Sequence, residues 1–147
     1  MDKLFLLCTI AGQPAAIRAV QVDSVVDIGP IAPVPLAPPH VIGLAALRSR
    51  LLTIICCNRA LGLPPPAKPT SRAVVVTVDG HPYGLLVGSI DDARVIEQEP
   101  VPVRARLEPG WARVVTGMVD FEGEALLIVD PERLIGGPEE DALAQAS

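Results

Sequence analysis

The sequence has little of the residue classes that most often carry chemistry. Aromatic residues make up 3% of the 147 residues, charged residues 20%, and there are only two histidines. Catalysis needs groups of matched acidity that converge on one point. Neither His40 nor His81 stands at a spacing typical of a metal site or of a nucleophile paired with a base. The sequence therefore predicts a protein that is not an enzyme and that uses no metal and no cofactor.

Positive charge is also scarce, since twelve Lys and Arg against seventeen Asp and Glu give a net charge of −5. Nucleic-acid affinity comes from neutralising many phosphates, so nucleic acid is not an expected partner. No apolar run approaches the roughly 20 residues needed to span a bilayer. The apolar start, residues 4–11, follows three residues without net positive charge, unlike a secretory signal. We therefore expect a cytoplasmic protein that does not insert directly into the membrane.

Cysteine is limited to Cys8, Cys56 and Cys57. An odd number with an adjacent pair is a poor disulfide framework, so we expect each cysteine to be a small core residue. One alternative stays open at this point. A redox-sensing module could use Cys56 and Cys57, provided that their thiols are accessible and have a low pKa.

What the sequence does contain is an internal repeat. The stretch GLAALRSRLLTIICCNRALG at 43–62 aligns without gaps to GMVDFEGEALLIVDPERLIG at 117–136, a constant offset of 74 residues. The earlier CTIAGQP at 8–14 resembles VTVDGHP at 76–82, with an offset of 68. Two matches in the same order indicate that each half carries the same unit.

Each half has the pattern of a strand hairpin, an irregular segment, a second hairpin and a short helix. In the second half, Val114 to Phe121 and Ala125 to Val129 are expected to pair across Glu122-Gly123, as Arg72 to Val78 pairs with the next strand across Asp79-Gly80. The following helix has candidate ends of its own. Asp130 can cap its first turn, and Gly136 can end it.

The strand count suits small barrels. We expect a single domain over 1–137, with lobes at roughly 4–62 and 72–136, a proline-rich linker at 63–71 and a frayed tail at 138–147. About 65 residues are only marginally stable alone, so the lobes should pack together as one cooperative unit. A second proline-rich segment, 29–39, is either a plain connector or a preformed binding edge.

The arrangement resembles the CheW family of chemotaxis coupling proteins from about Phe5 to Ile135. Its most specific parts are PP-x-V-x-G-L-x-x-L-R at Pro38 to Arg48 and the TGMVDFEGEALLIVDPERL run at 116–134. The resemblance implies a mainly β fold of two SH3-like five-stranded barrels with short helices. It also implies a non-catalytic adaptor, or scaffold, that binds the regulatory domain of a CheA-type histidine kinase and the cytoplasmic tip of a chemoreceptor in arrays at the membrane. A module of another chemosensory-like pathway is the alternative.

The resemblance also implies a partner-binding region. In the family, a hairpin carrying Asn-Leu-Arg-Gly presents its arginine near the coupling groove, and Arg48 is the matching position. This sequence has Ala46 for the asparagine, Ser49 for the glycine and Cys56 for an aspartate that commonly precedes the helix. Serine adopts positive φ only at a cost, so we expect a different turn.

The loss of the aspartate removes a helix cap, and Asn58 could shift the cap downstream. The candidate partner-binding residues, apolar with a basic rim, are Arg48, Arg50, Leu47, Ile42, Val41 and Leu44. Because strand side chains alternate, some of the apolar members are expected to face the core instead.

Overall fold

The computed structural model of the protein describes residues 3–68 and 70–137. The tail 138–147, expected to be frayed, lies outside the described residues. Within them the chain is mainly β, as predicted. The strands are β1 (Leu4–Ile10), β2 (Gln13–Arg18), β3 (Ser24–Asp27), β4 (Val41–Leu47), β5 (Arg50–Cys56), β6 (Arg72–Val78), β7 (His81–Leu86), β8 (Ile90–Val95), β9 (Val115–Phe121) and β10 (Glu124–Val129). The α-helices are α1 (Cys57–Ala60), α2 (Pro109–Val114) and α3 (131–137).

The strands form two five-stranded sheets. The first sheet has the order β8-β1-β2-β10-β9, and the second has the order β3-β6-β7-β5-β4. Neighbouring strands are antiparallel except for β2 with β10 and β5 with β7, which are parallel. Each parallel pair joins a strand of one half of the chain to a strand of the other half.

The two sheets do not coincide with the expected lobes at 4–62 and 72–136. Each half gives its first hairpin to one sheet and its remaining strands to the other, so both sheets contain strands from both halves. The order of strands in the two sheets nevertheless follows the sequence repeat. Replacing every strand of the first sheet by its equivalent from the other half produces the order of the second sheet. The proline-rich linker at 63–71 therefore joins two interleaved halves rather than two separate lobes.

Three hairpins have turns in which both residues carry positive φ. These turns are Ala11-Gly12, Asp79-Gly80 and Glu122-Gly123. Positive φ at both positions gives the turn a twist that matches the right-handed twist of the flanking strands. Gly, Asn and Asp are favoured there because they tolerate positive φ. The predicted turns at Asp79-Gly80 and Glu122-Gly123 are confirmed.

Both faces of each sheet bury apolar side chains. The face between the sheets forms a central core, which includes Ile10, Ile17, Ile55, Leu85 and the indole of Trp111. The opposite face of each sheet encloses a smaller core of its own, as expected of two barrels. The first-sheet core comprises Phe5, Leu7, Ala16, Ile96, Val119, Leu126 and Ile128. The second-sheet core comprises Ala45, Leu52, Ile54 and Val75.

The proline-rich segment 29–39 crosses the edge of the second sheet. The backbone groups of Ala32 and Leu44 exchange two hydrogen bonds, 2.8 and 2.9 Å long. Val101 and Met118 do the same at the edge of the first sheet, with distances of 2.9 and 2.8 Å. Segment 29–39 therefore covers part of β4, which reduces the edge open to other chains.

These crossings explain two glycines that match in the repeat. A Cβ atom at Gly43 would clash with the carbonyl oxygen of Ala32. At Gly117 a Cβ atom would lie 3.1 Å from the carbonyl oxygen of Val101. The repeated glycine thus permits the close approach of the covering segment in both halves.

Helix α3 begins as predicted, because the Asp130 carboxylate accepts a hydrogen bond of 3.0 Å from the Glu132 N–H. Its end differs from the prediction, since the residue with positive φ is Gly137 (67°) and not Gly136. A side chain at Gly137 would clash with the buried ring of His40, whose Nε2 lies 2.8 Å from the Ile135 carbonyl oxygen.

Helix α1 begins without a side-chain cap. Cys56 precedes it and makes no capping hydrogen bond. Asn58 does not replace the missing aspartate either, because its amide donates to the Pro64 carbonyl oxygen at 3.2 Å. Asn58 therefore holds the linker rather than the helix end.

Candidate partner-binding surface

The β4–β5 hairpin places the basic residues at its tip. Leu47 pairs with Arg50, which leaves Arg48 and Ser49 as the two turn residues. Arg48 has a φ of 57°, and Ser49 is not among the residues with positive φ. Positive φ at the first position alone is the φ pattern of a type II′ turn, which normally has glycine there. The hairpin therefore uses a different turn from the other three, and Arg48 carries a left-handed conformation that costs about 1–2 kcal/mol.

Arg48 and Arg50 are both exposed. In the described parts of the chain, neither guanidinium forms an ion pair or a side-chain hydrogen bond. A guanidinium carries five donors in a fork that matches carboxylates and rows of carbonyl oxygens. The tip thus presents two exposed guanidinium groups at the end of the hairpin, available to a partner.

An apolar and aromatic strip adjoins this tip. Leu51 is 59% exposed, and its cross-strand neighbour Ala46 is exposed as well. On the same face, the Thr53 hydroxyl lies 2.8 Å from Nε2 of His81, whose ring meets that of Tyr83 edge-on with centroids 4.8 Å apart. We call Arg48, Arg50, Leu51 and Tyr83 the hairpin surface, in which Arg50 precedes Leu51 on β5 and points to the other side of the hairpin. Leu51 is absent from the residues predicted for the surface, because Leu51 and Leu52 are both apolar and alternation does not show which of them is exposed.

The predicted apolar residues do not form one patch. A register shift between Val41 and Gly43 turns Ile42 toward the second-sheet core, against which Leu47 also packs. Val41 packs against the central core instead. Leu44 is half-buried, and its backbone is covered by the segment 29–39.

The predicted set is therefore divided along β4. Ile42 and Arg48 are six residues apart on an extended strand, a separation of about 20 Å. The structure brings Arg48, Arg50 and Leu47 together at the tip and leaves Ile42 at the far end of β4. Only the tip members can share one small contact.

The cysteine thiols are all buried. Burial raises the pKa of Cys8 to about 12. Burial, and next the nearby Cys8 and Cys56, raise the pKa of Cys57 well above its usual value. Because the thiolate is the reactive form, these surroundings disfavour the redox alternative.

Within residues 3–68 and 70–137, no group of three or more His, Cys, Asp or Glu side chains is placed to hold a metal ion. None of the helices in that range combines the length and the apolar composition that crossing a lipid bilayer requires.

The fold, two five-stranded sheets that share a central core, is also found in a solved structure. The crystal structure of the scaffolding protein TtCheW from Thermoanaerobacter tengcongensis superposes with a TM-score of 0.74 at 21% identity, covering 88% of this chain and 90% of that one. The family model for the CheW-like domain matches residues 4–139. The chain therefore belongs to the CheW-like family.

Two relatives extend this finding. The chain is 29% identical over 119 residues to a chemotaxis protein CheW of Rhizobium meliloti, covering 77% of this chain and 74% of the relative. It is 26% identical over 147 residues to a probable chemotaxis protein CheW of Rhizobium etli, covering 96% and 92%. The family predicted from the sequence is confirmed, and the chain is a CheW-like coupling protein.

Proposed function

We propose that the protein is a non-catalytic chemotaxis adaptor that couples chemoreceptors to a CheA-type histidine kinase. Its membership of the CheW-like family and its two chemotaxis relatives support this proposal. The observation that carries it is the hairpin surface, where the guanidinium groups of Arg48 and Arg50 have no partner within the described chain and Leu51 is exposed. Such a combination of guanidinium donors and apolar area is typical of protein contacts.

The receptor is assigned to the hairpin surface. The tip of a chemoreceptor is a helical hairpin, which offers helix-end carbonyl oxygens, carboxylates and apolar side chains. Arg48 would donate to the oxygens, while Leu51 and the ring of Tyr83 would cover apolar side chains. Binding there recruits the protein from the cytoplasm to receptor arrays at the membrane.

The kinase is assigned to a sheet edge. Segments crossing at Ala32 and Val101 cover part of β4 and part of β9, whereas β3 and β8 form the other two edges. Five of the six residues of β8 are exposed, so this strand offers the larger accessible edge. An exposed edge strand can add to a barrel of another protein through backbone hydrogen bonds.

Titration calorimetry tests the coupling role. The protein is titrated with the regulatory domain of a CheA-type kinase from the same genome and, separately, with a receptor-tip fragment. We expect saturable binding of micromolar affinity or tighter to both, and simultaneous binding of the two partners. A folded protein that binds neither would contradict the proposal and direct attention to other kinases.

A further inference from the structure

A small cavity lies at the end of the second sheet that is remote from the hairpin tip. Its volume is about 180 Å³, and it opens where the parallel strands β5 and β7 end, beside the paired residues Cys56 and Leu86. Its walls are mainly apolar. They include Ile42, Cys56, Leu86, Val87, Pro65 and Pro66.

Described residues of the linker form the outer wall of this cavity, and two hydrogen bonds hold them in place. The Asn58 amide donates to the Pro64 carbonyl oxygen at 3.2 Å, and the Thr70 hydroxyl donates to the Val87 carbonyl oxygen at 2.8 Å. Pro65 and Pro66 have restricted backbones. These contacts and the two prolines restrict the described part of the wall, so a ligand would order less of it on binding.

The mouth of the cavity is basic. Arg59 and Lys68 line it, and both are exposed. Neither forms an ion pair with another residue of the described chain, and the described lining residues include no acid. A basic mouth stands out in a chain whose net charge is −5, and it suits an anionic group.

The equivalent position in the first sheet shows that the fold does not require an apolar cavity. At the repeat offsets of 68 and 74, Leu86 corresponds to Arg18, Ile42 to Thr116 and Cys56 to Asp130. Those three residues line a cavity at the equivalent end of the first sheet.

The two cavities thus differ at these three equivalent positions, although Val20, Ile128 and Val129 also give the first-sheet cavity apolar walls. Asp130 caps the helix that follows it, whereas Cys56 leaves α1 without a side-chain cap. The apolar residues at these three positions of the second-sheet cavity are a local departure from the repeat.

We propose that this cavity binds a small monocarboxylate. Its volume lies below the range of drug-sized sites, so the whole ligand would have about six to ten non-hydrogen atoms. The apolar body of the ligand would rest against Ile42, Leu86 and Val87. The carboxylate would lie at the mouth between Arg59 and Lys68.

Amide chemical-shift titration of the full isotope-labelled chain tests this site with 4-methylpentanoate as the probe. We expect saturable shifts at residues flanking the cavity, such as Val87 and Gly88. The neutral 4-methylpentan-1-ol and the short acetate should each bind at least about threefold more weakly, because each lacks one of the two recognised groups.

Variants that introduce into the cavity the residue found at the equivalent position of the first sheet make the test more specific. Cys56→Asp places a carboxylate in the cavity, so probe affinity should fall at least about tenfold. Ile42→Thr tests the apolar wall independently and should weaken binding several-fold, while Arg59→Gln with Lys68→Gln tests the mouth. Thr116→Ile, made at the equivalent position of the first sheet, is the matched control and should leave affinity unchanged. Thermal melting verifies that each variant is folded.

The proposal would be overturned if no saturable shifts were seen up to about 10 mM probe. It would also be overturned if Cys56→Asp and Ile42→Thr, both folded, bound the probe as the wild type does. A further arm uses an acetylated peptide that ends in leucine with a free carboxylate. If the peptide binds and 4-methylpentanoate does not, the occupant is a protein C terminus, and the assignment of a free small ligand is wrong.

Discussion

The β4–β5 and β9–β10 hairpins occupy equivalent places in the repeat but end in opposite charges. Arg48-Ser49-Arg50 stands where the other hairpin has Glu122-Gly123-Glu124. Their registers agree, since Leu47 pairs with Arg50 and Phe121 pairs with Glu124. Their turns differ, because Glu122 and Gly123 both have positive φ whereas only Arg48 does in the first hairpin.

The difference is confined to the exposed tips. Leu52 and Ile54 are matched by Leu126 and Ile128, and all four side chains are buried in the small cores of their sheets. The repeated fold therefore fixes the strands and leaves the tips free to diverge. Partner recognition is expected where the two hairpins differ, and stability is expected where they agree.

The largest expected effect concerns the small cores, where the halves also differ in size. Phe5 is 1% exposed in the first-sheet core, and its equivalent at offset 68 is the buried Ala73. Phe5→Ala should lower the free energy of unfolding by about 3–5 kcal/mol. Because both sheets share the central core, they should still unfold in one transition.

Calorimetry and denaturant unfolding, followed by circular dichroism and Trp111 fluorescence, measure this effect. Ala73→Gly is the control, with an expected loss of only about 0.5–1 kcal/mol. Two well-separated transitions, of which Phe5→Ala shifts one, would show that the sheets are independent and would contradict the shared core.

Much of this fold was predictable from local chemistry. The turns at Asp79-Gly80 and Glu122-Gly123 and the cap at Asp130 follow from residue types that favour those conformations. The parallel pairs β2–β10 and β5–β7 were not predictable, because they join strands far apart in sequence and no local residue marks them. That is why the expected lobes followed the chain order rather than the sheets.

The candidate surface was predictable in the same limited way. Arg48 and Arg50 were expected at a tip, because charged residues interrupt an apolar run there. Ile42 was grouped with them, although an irregularity in β4 turns it toward a core. Such a shift depends on the segment that crosses at Gly43, a tertiary contact that periodicity cannot reveal.

The next effect tests whether the charge of the tip matters. Arg48→Glu gives the first hairpin the charge of the second, and receptor affinity should fall by more than the roughly 10- to 150-fold expected for loss of one charge-assisted hydrogen bond. Calorimetry with a receptor-tip fragment measures it. Glu122→Ala is the matched control and should leave affinity unchanged. If folded Arg48→Glu binds the receptor fragment and the kinase domain as tightly as the wild type does, Arg48 does not belong to the binding site.

A smaller effect concerns Cys8, whose equivalent in the second half is Val76. The folded pKa of Cys8, about 12, exceeds the ordinary value of 9.0 because the thiol is buried. The unfolded chain therefore loses this proton at a lower pH than the folded protein does. The contribution of the Cys8 thiol to the free energy of unfolding is complete below pH 9 and falls by about 1.4 kcal/mol per pH unit as pH rises toward 12.

Cys8→Val introduces the residue that the second half has at the equivalent position. The free energy of unfolding of this variant should depend less on pH above 9 than that of the wild type. Denaturant unfolding at pH 8, 9 and 10 compares the two proteins, with the buried Cys57 retained in both. Identical pH profiles would show that Cys8 ionises in the folded protein as readily as in the unfolded chain.

The smallest effect separates strain from recognition at the tip. Arg48 is left-handed without being glycine, so Arg48→Gly should raise the free energy of unfolding by about 0.5–1 kcal/mol relative to Arg48→Ala, after the entropic cost of glycine is counted. Both variants lack the guanidinium and should bind the receptor equally weakly. Glu122→Gly, at a φ of 51°, should gain a similar stability without losing receptor affinity. If Arg48→Gly and Arg48→Ala are equally stable, the tip stores no backbone strain, and the positive charge alone distinguishes the two hairpins.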